Sequence, residues 1–229
     1  MLICRWEELP LKMQTEEVRP YYEILRKKRY SLYFKRLFDI VISLFLLILL
    51  APFCLVMAAA IKLDSKGPVF YRQVRVTQYG KRFRIHKFRS MEEGADKGAQ
   101  VTSGQDMRIT RIGAVLRRYR LDEIGQLIDI LNGTMTFVGT RPEVPGFVDK
   151  YTPEMWATLL LPAGVTSEAS IQYKDEALLL DTKKDTDIIY VEQILPEKMK
   201  INLEEIKRYS FFRDVFIMLR TLKAVIKAE

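Results

Sequence analysis

The chain has 229 residues, and 37 lysines and arginines against 29 acidic residues give a formal net charge of +8. Two cysteines argue against a disulfide framework and favour a reducing compartment, and a single histidine excludes a site built from several histidines. The basic balance suits an anionic membrane surface, phosphorylated ligands or nucleic acid. We expect no nucleic-acid partner, because no element that could read bases is recognisable.

The first segment, residues 1–36, is predicted to lie at an interface. Basic and aromatic residues are mixed between Tyr21 and Arg36, and such side chains anchor an apolar segment where it meets polar surroundings. An ordinary solvated helix is the alternative. Acidic residues precede the following apolar run, so no cleavable signal is expected.

Residues 37–63 are predicted to form a membrane segment, because Ile40–Ile61 is a long apolar run without charges of about the length that crosses a bilayer. Pro52 lacks the N–H of a regular helix, so a kink or break is expected near Ala51. Both flanks are basic, whereas cytoplasmic loops alone should be enriched in lysine and arginine. A helix that re-enters the same face is therefore favoured over a single crossing. A buried helix of a soluble protein is the third interpretation.

Residues 64–229 are predicted to form one mostly helical domain that contains a basic β-hairpin. The stretches 69–76 and 83–88 are rich in β-forming residues and are separated by a segment with Gly80, which is typical of a hairpin. The fold class is therefore α+β, mostly α.

The pattern after the hairpin alternates loops and helices. A loop is expected over 92–106, a helix over 108–120, and a second helix from Asp122 to a stop at Asn132-Gly133. Pro142 forces the preceding Arg141 into an extended conformation, so that side chain is expected on a loop. The last helix carries apolar residues on one face, which is typical of a helix in a membrane interface, although core packing explains the pattern almost as well.

Carboxylates are the candidate reactive groups. Asp122 and Glu123 lie near a predicted helix start, where simple capping is the alternative to a chemical role. A carboxylate among cations that bind phosphate can attack phosphorus or hold Mg²⁺. His86 is expected to be structural or solvent-facing. The candidate phosphate-binding cations are Lys87, Arg89, Arg108, Arg117 and Arg141.

Four ordered motifs resemble one family. They are K-F-R-S-M from Lys87, D-x-R-x-T-x-x-G-x-x-L-R from Asp106, L-D-E-x-x-Q-L from Leu121 and G-x-R-P from Gly139. Together with the proline in the apolar run, they resemble the bacterial sugar transferases, in particular the small monotopic polyprenyl-phosphate phosphoglycosyl transferases. The resemblance implies a Pro-broken re-entrant membrane helix, a small cytoplasmic catalytic domain with a β-hairpin, and amphipathic interfacial helices at the bacterial inner membrane.

The resemblance also implies a reaction. A phospho-sugar would move from a UDP-sugar to polyprenyl phosphate, with release of UMP, as the first step of surface glycan assembly. Asp122 would be the nucleophile, Glu123 would position Mg²⁺ or activate the acceptor, both would be metal ligands, and Lys87, Arg89, Arg108, Arg117 and Arg141 would hold phosphate oxygens. Membrane lipids are the further partners, and a homodimer is left open.

Departures from the family pattern favour one alternative function. The family usually reads L-D-E-L-P-Q-L, N-V-L-x-G-D-M-S and G-P-R-P, whereas this chain has Gly125, Thr134 and Thr140 at three of those positions. The alternative is a membrane-anchored scaffold or binding protein of a glycan-assembly complex. The carboxylate pair itself is intact, which favours the enzyme.

Overall fold

The computed structural model describes residues 3–92, 94, 108–174 and 186–226. The chain begins with two short 3-10 helices, Trp6–Glu8 and Leu11–Met13, followed by α1 (Arg19–Lys27). Met13, Val18 and Leu25 are fully buried in the main hydrophobic core of the domain. The N-terminal apolar side chains therefore pack with the rest of the domain, and the interfacial location predicted for 1–36 stays a prediction.

Helix α2 (Arg29–Asp64) contains the apolar run and is one helix of 36 residues with Pro52 inside it. The helix continues through Ala51 and Pro52, so the predicted break is not observed. A proline removes one hydrogen bond, and the turns on both sides of it remain helical. The helix has the length and apolar composition to cross a membrane. Its exposed apolar face includes Leu37, Val41, Leu44, Phe45, Ile48, Leu49, Leu55 and Val56.

The opposite face of α2 packs on the domain along its whole length. Leu32 is buried near its start, Leu47 and Leu50 pack against a second apolar cluster at its middle, and Met57 and Ile61 join a third cluster near its end. A helix of this length extends over about 54 Å. Both ends of α2 therefore lie against one folded unit.

Buried polar contacts fix the first half of α2. Lys35 forms an ion pair with Asp214 at 2.6 Å and donates to the carbonyl of Val138 at 2.8 Å. Asp39 accepts a hydrogen bond from the hydroxyl of Thr136 at 2.7 Å. Because charged groups are costly to bury without partners, these contacts specify how α2 sits on the strands beneath it.

The predicted hairpin is confirmed. Antiparallel β2 (Val74–Val76) and β3 (Arg82–Arg84) form its upper part, and β1 (Phe70–Tyr71) and β4 (Lys87–Phe88) pair below them. The turn uses Tyr79 and Gly80, which both have positive φ angles of 59° and 72°.

Helix α3 (Arg111–Arg118) follows and is shorter than the predicted 108–120, while the loop predicted over 92–106 lies almost wholly outside the described residues. The hydroxyl of Thr110 caps α3 by accepting from the amide of Gly113 at 2.9 Å. Next come a 3-10 turn, Leu121–Glu123, and α4 (Gln126–Asn132). Gly133, at φ 81°, ends α4 as predicted.

A pair of parallel strands forms the centre of the domain. Strand β5 (Met135–Val138) pairs with β6 (Ala163–Thr166) in register Met135 to Ala163. The connection contains α5 (Pro145–Val148) and a 3-10 helix, Glu154–Leu160. Short strands with a long helical crossover are a standard parallel arrangement.

Helices complete the fold. They are α6 (Glu168–Gln172), α7 (Thr186–Ile189), a π-helical segment Tyr190–Ile194, α8 (Leu195–Lys207) and α9 (Phe211–Ile226). Helix α9 is amphipathic as predicted, with Phe212, Phe216, Leu219 and Leu222 exposed and Ile217 buried. Its apolar face and that of α2 give the domain two exposed apolar helical surfaces.

Candidate active site

The centre of the site is a partly buried cluster of two carboxylates and two cations. The ammonium of Lys87 lies 2.8 Å from the carboxylate of Asp122 and 3.5 Å from that of Glu123. The guanidinium of Arg141 lies 2.7 Å from the same oxygen of Glu123. Asp122 is only 2% exposed. Strand β4, the Leu121–Glu123 turn and the loop after β5 thus bring together four of the residues that the motifs predict.

The two cations determine the charge of Glu123. Burial alone would raise the pKa of this carboxyl, but Arg141 and then Lys87 outweigh burial and hold the pKa well below its usual range. Glu123 is therefore an anion throughout the neutral range. A carboxylate of such low pKa is a weak base, which favours a role in binding or orientation over proton removal.

The backbone around the carboxylates is tightly constrained. Arg120 has the left-handed φ of 53°, uncommon for a residue with a side chain, and this reversal leads from α3 into the turn that carries Asp122. A Cβ at Gly125 would lie 2.9 Å from the carbonyl oxygen of His86. Glycine at this position thus lets the hairpin approach the start of α4 closely.

His86 and Asp129 join the hairpin to α4. The imidazole Nδ1 lies 2.7 Å from one carboxylate oxygen of Asp129, and the His86 amide donates to the other at 2.7 Å. His86 therefore has a structural contact, as expected. Asp129 is 2% exposed and holds both contacts.

A second set of side chains supports the Arg141 loop. Arg75 donates to the carbonyl of Pro142 at 3.2 Å, and the amide of Val76 donates to the carbonyl of Glu143 at 3.0 Å. The Glu143 carboxylate accepts from the hydroxyl of Tyr190 at 2.6 Å. Sequence reasoning missed these residues, although a glutamate directly after the R-P motif was a signal that could have been followed.

Arg89, predicted to bind phosphate, contacts the residues that follow α2. It is 4% exposed, and its guanidinium donates to the carbonyl of Ser65 at 2.8 Å, to the Ser65 hydroxyl at 3.0 Å and to the carbonyl of Lys66 at 2.5 Å. These groups follow the end of α2, where carbonyls lack partners within the helix. Arg89 therefore holds the end of the apolar helix and is not in the carboxylate cluster.

The remaining predicted cations differ in what the structure shows. Arg108 lies at the edge of the described residues and has partners of its own. Arg117, on α3, has one buried guanidinium nitrogen without a hydrogen-bond partner among the described residues. An unpartnered buried donor is suited to an anionic ligand.

Arg117 and Glu123 line a cavity of about 500 Å³. One part of its wall is cationic and the other is apolar, with side chains from α2 and α9. We name it the helix-side cavity. Its cationic residues are Arg117, Arg118, Arg120 and Lys174, and its apolar residues include Leu46, Leu50, Phe137 and Leu222.

The carboxylate pair fits a magnesium ion that is shared with a substrate. Mg²⁺ prefers carboxylate oxygens and is commonly held by one or two carboxylates together with substrate phosphates. Asp122 and Glu123 both contact the same ammonium, so their oxygens lie close together. Among the residues that the structure describes, no group of three or more metal-binding side chains occurs.

These features define a class of protein: a domain in which two carboxylates are paired with cations beside an exposed apolar helix. Residues 30–228 match the family described as bacterial sugar transferase. The chain therefore belongs to the bacterial sugar transferase family. The residues before 30, which pack into the core, lie outside this match.

Named relatives agree with this assignment. UDP-N-acetylgalactosamine-undecaprenyl-phosphate N-acetylgalactosaminephosphotransferase of Aeromonas hydrophila is 34% identical over 199 residues, covering 85% of this chain and 44% of that protein. UDP-glucose:undecaprenyl-phosphate glucose-1-phosphate transferase of Klebsiella pneumoniae is 34% identical over 197 residues, covering 84% and 40%. A Caulobacter vibrioides protein of the same name as the Klebsiella enzyme is 33% identical over 201 residues, covering 85% and 70%. The chain thus spans about two fifths of the first two relatives.

Proposed function

We propose that the chain transfers a phospho-sugar from a UDP-sugar to polyprenyl phosphate, giving polyprenyl-diphosphate-sugar and UMP. The observation that carries this proposal is the buried Asp122, paired with Lys87 beside a second, anionic carboxylate and Arg141. The names of the relatives supply the substrate classes, undecaprenyl phosphate and UDP-sugar. They are named for different sugars at nearly equal identity, so no particular sugar is assigned to this chain.

Asp122 is the proposed nucleophile. One of its carboxylate oxygens attacks the phosphorus that bears the sugar, and the bond from this phosphorus to the bridging oxygen breaks, with the electron pair leaving on UMP. An oxygen of polyprenyl phosphate then attacks the same phosphorus and releases the Asp122 carboxylate. Lys87 and Arg141 attract phosphate oxygens in both steps, which lowers the repulsion between an anionic nucleophile and an anionic substrate.

Glu123 is the proposed positioning group, because its low pKa makes it unsuited to removing a proton. It holds Arg141 at 2.7 Å and, with Asp122, would hold Mg²⁺. When bound, Mg²⁺ supplies charge neutralisation on the diphosphate. The acceptor phosphate is already ionised at neutral pH, so it needs no general base.

The helix-side cavity is the proposed site of the acceptor. A polyprenyl phosphate combines an anionic head with an apolar chain, and the wall of this cavity combines cations such as Arg117 with apolar side chains from α2 and α9. Glu123 lines the same cavity, so the head of an acceptor there lies beside the carboxylate pair.

A monotopic arrangement on the cytoplasmic face of the bacterial inner membrane is the proposed location. Both ends of α2 contact the same domain, through Asp39 near its start and through Asp64, which accepts from the amide of Ile112 at 3.0 Å, at its end. A helix that crossed the bilayer upright would place these two contacts on opposite sides of about 30 Å of hydrocarbon. We therefore propose that both ends of α2 stay on one side of the bilayer, with a bend at Pro52 that leaves the helix continuous.

The nucleophile is tested by Asp122→Asn in the full chain, reconstituted with undecaprenyl phosphate and Mg²⁺ and supplied with a panel of radiolabelled UDP-sugars. Asp122→Asn should abolish both lipid product and labelled protein, a loss of at least about a thousandfold in kcat. Glu123→Gln, an equally conservative neighbouring change, should slow turnover and still allow labelled protein to form.

Two outcomes contradict the proposal. Labelled protein at the wild-type rate in Asp122→Asn would place the nucleophile elsewhere. Wild-type chain that makes neither labelled lipid nor UMP from any donor would favour the scaffold, and activity that persists unchanged in EDTA would remove Mg²⁺ from the mechanism.

A further inference from the structure

A second cavity, of about 920 Å³, shares no lining residue with the helix-side cavity and has no assigned role. The hairpin forms one wall, α5 and the turn after it form another, and α7 with the π-helical segment closes it. Its volume is within the range of small-molecule sites, about 300–1,000 Å³. No described residue of α2 or α9 lines it, so we name it the hairpin-side cavity.

The hairpin-side cavity is connected to the cluster through Tyr71. Tyr71 lines the cavity and pairs directly with Lys87 in the antiparallel ladder. Side chains of directly opposed residues stand on the same face, with Cβ atoms about 4.5–5.5 Å apart. Because Lys87 contacts Asp122 at 2.8 Å, Tyr71 lies one side chain away from the nucleophile.

The Arg141 loop provides the second connection. Val144 lies shortly after Arg141 in the chain, Phe147 belongs to the α5 helix that follows, and both line the cavity. Arg75 ties this loop to the hairpin through the carbonyl of Pro142. The wall of the cavity and the cation that contacts Glu123 therefore belong to one connected segment.

The lining residues have the chemistry of a nucleotide site. Tyr71 offers an aromatic face for a base, cations at the rim suit a phosphate, and carboxylates accept hydrogen bonds from ribose hydroxyls. The rim cations are Arg72, Arg84 and Lys150, and the carboxylates are Asp187 and Glu192.

We infer that the hairpin-side cavity binds the uridine monophosphate part of the donor, with Tyr71 beneath the base and Arg84 and Lys150 near the phosphate. This inference rests on the proposed function for the identity of the nucleotide. The contrast between the two cavities supports it: the soluble donor enters where no membrane-facing helix contributes, and the lipid acceptor enters where α2 and α9 do.

The test is equilibrium binding of UMP to the full chain in lipid nanodiscs, measured by calorimetry. Tyr71→Leu should weaken UMP binding about tenfold, because base stacking on an aromatic ring is lost, whereas Tyr71→Phe should retain most of the affinity. Ribose 5-phosphate, which has no base, should bind weakly and equally to all three proteins.

Arg84 has a matched control on the same strand. Arg82 and Arg84 are both exposed and two residues apart on β3, but only Arg84 lines the cavity. Arg84→Ala should weaken UMP binding about tenfold through loss of a charge-assisted contact, and Arg82→Ala should leave it within about twofold.

The outcomes separate this inference from the proposed function. Absent UMP binding by the wild-type chain, unchanged binding in Tyr71→Leu and Arg84→Ala, or equal losses in Arg82→Ala and Arg84→Ala would each overturn the cavity assignment, even if transfer is observed. Binding that depends on the cavity in a chain that transfers no sugar would support the assignment and reject the transferase.

Discussion

Lys87 and Arg89 are both basic and lie two residues apart, but their side chains contact different groups. Lys87 faces the carboxylates, whereas Arg89 is buried against the carbonyls that follow the end of α2. Phosphate binding was predicted for both, because charge and spacing cannot show which cation meets a carboxylate and which meets a helix end. The difference decides what a substitution at each position should change.

Arg89→Met should lower stability without affecting donor binding. The lost contacts leave carbonyls at the end of α2 without a charged donor, which costs about 2–4 kcal/mol and should lower the midpoint of thermal unfolding in detergent. The donor KM of the folded fraction should stay within about twofold. Arg82→Met, an exposed change on the same hairpin, is the control for stability, and a tenfold rise in donor KM for Arg89→Met would restore the phosphate-binding role.

Arg141 should govern the pH dependence of the site. In the wild type the depressed pKa of Glu123 keeps the carboxylate ionised even at pH values below the usual range for glutamate, and its contribution is lost only when the pH falls through that depressed value. Arg141→Gln removes the cation that lowers this pKa most, and burial then raises it. The acidic limb of kcat/KM should move to higher pH, and Arg141→Lys should largely restore it. The position of the acidic limb is measured relative to each variant's own maximal kcat/KM. A uniform loss of kcat/KM from weaker phosphate binding therefore does not mimic the shift.

The site was predictable to the extent that its residues lie within ordered motifs. Asp122, Glu123, Lys87 and Arg141 meet as expected, because each is fixed by a local signal such as a turn, a strand or an R-P loop. Asp39 and Asp129 were not predicted, because their hydrogen-bond partners are distant in the chain. Their structural role also depends on burial, which cannot be read from a sequence. A charged residue at the edge of an apolar run, such as Asp39, was the available sign.

At the scale of elements, Gly164 within β6 lies unusually close to Gly139, the residue that follows β5. A Cβ at Gly164 would lie 2.2 Å from backbone atoms of Gly139. No flexible side chain can move aside there, so only glycine allows the strand that precedes the Arg141 loop to reach its position. The hairpin and the end of α4 were predicted because turn residues mark them, whereas this contact depends on tertiary packing.

Gly164→Ala should therefore be strongly destabilising, by about 3 kcal/mol or more, since the backbones of two strands must separate. Gly146→Ala is the matched control, because a Cβ at Gly146 meets nothing within 4 Å. Chemical denaturation of both variants measures the difference. Equal stability of the two would show that β5 and β6 separate at little cost.

At the scale of the molecule, α2 determines how the domain meets a bilayer. Its exposed face and that of α9 are apolar, and the family match covers both helices. The basic residues on both flanks of α2 predict a re-entrant helix. The contacts of both ends of α2 with one domain favour this topology. The helix itself is continuous through Pro52.

The topology is tested by cysteine labelling on either side of α2. Lys27→Cys and Lys66→Cys place thiols at exposed positions before and after the helix, in a chain whose Cys4 and Cys54 are replaced. A reagent that does not cross membranes should label both sites from the cytoplasmic side of oriented vesicles and neither from outside. Labelling from opposite sides would establish a single crossing.

The contact of Arg89 with the end of α2 has a mechanical consequence. Only Phe88 separates Arg89 from Lys87, so the chain of contacts from the carbonyls of Ser65 and Lys66 to the carboxylate of Asp122 contains no flexible loop. A tilt of α2 would therefore be transmitted to the ion pair between Lys87 and Asp122. If Asp122 is the nucleophile and α2 lies in the bilayer, as proposed, the end of α2 sets the depth of the reactive oxygen relative to the lipid.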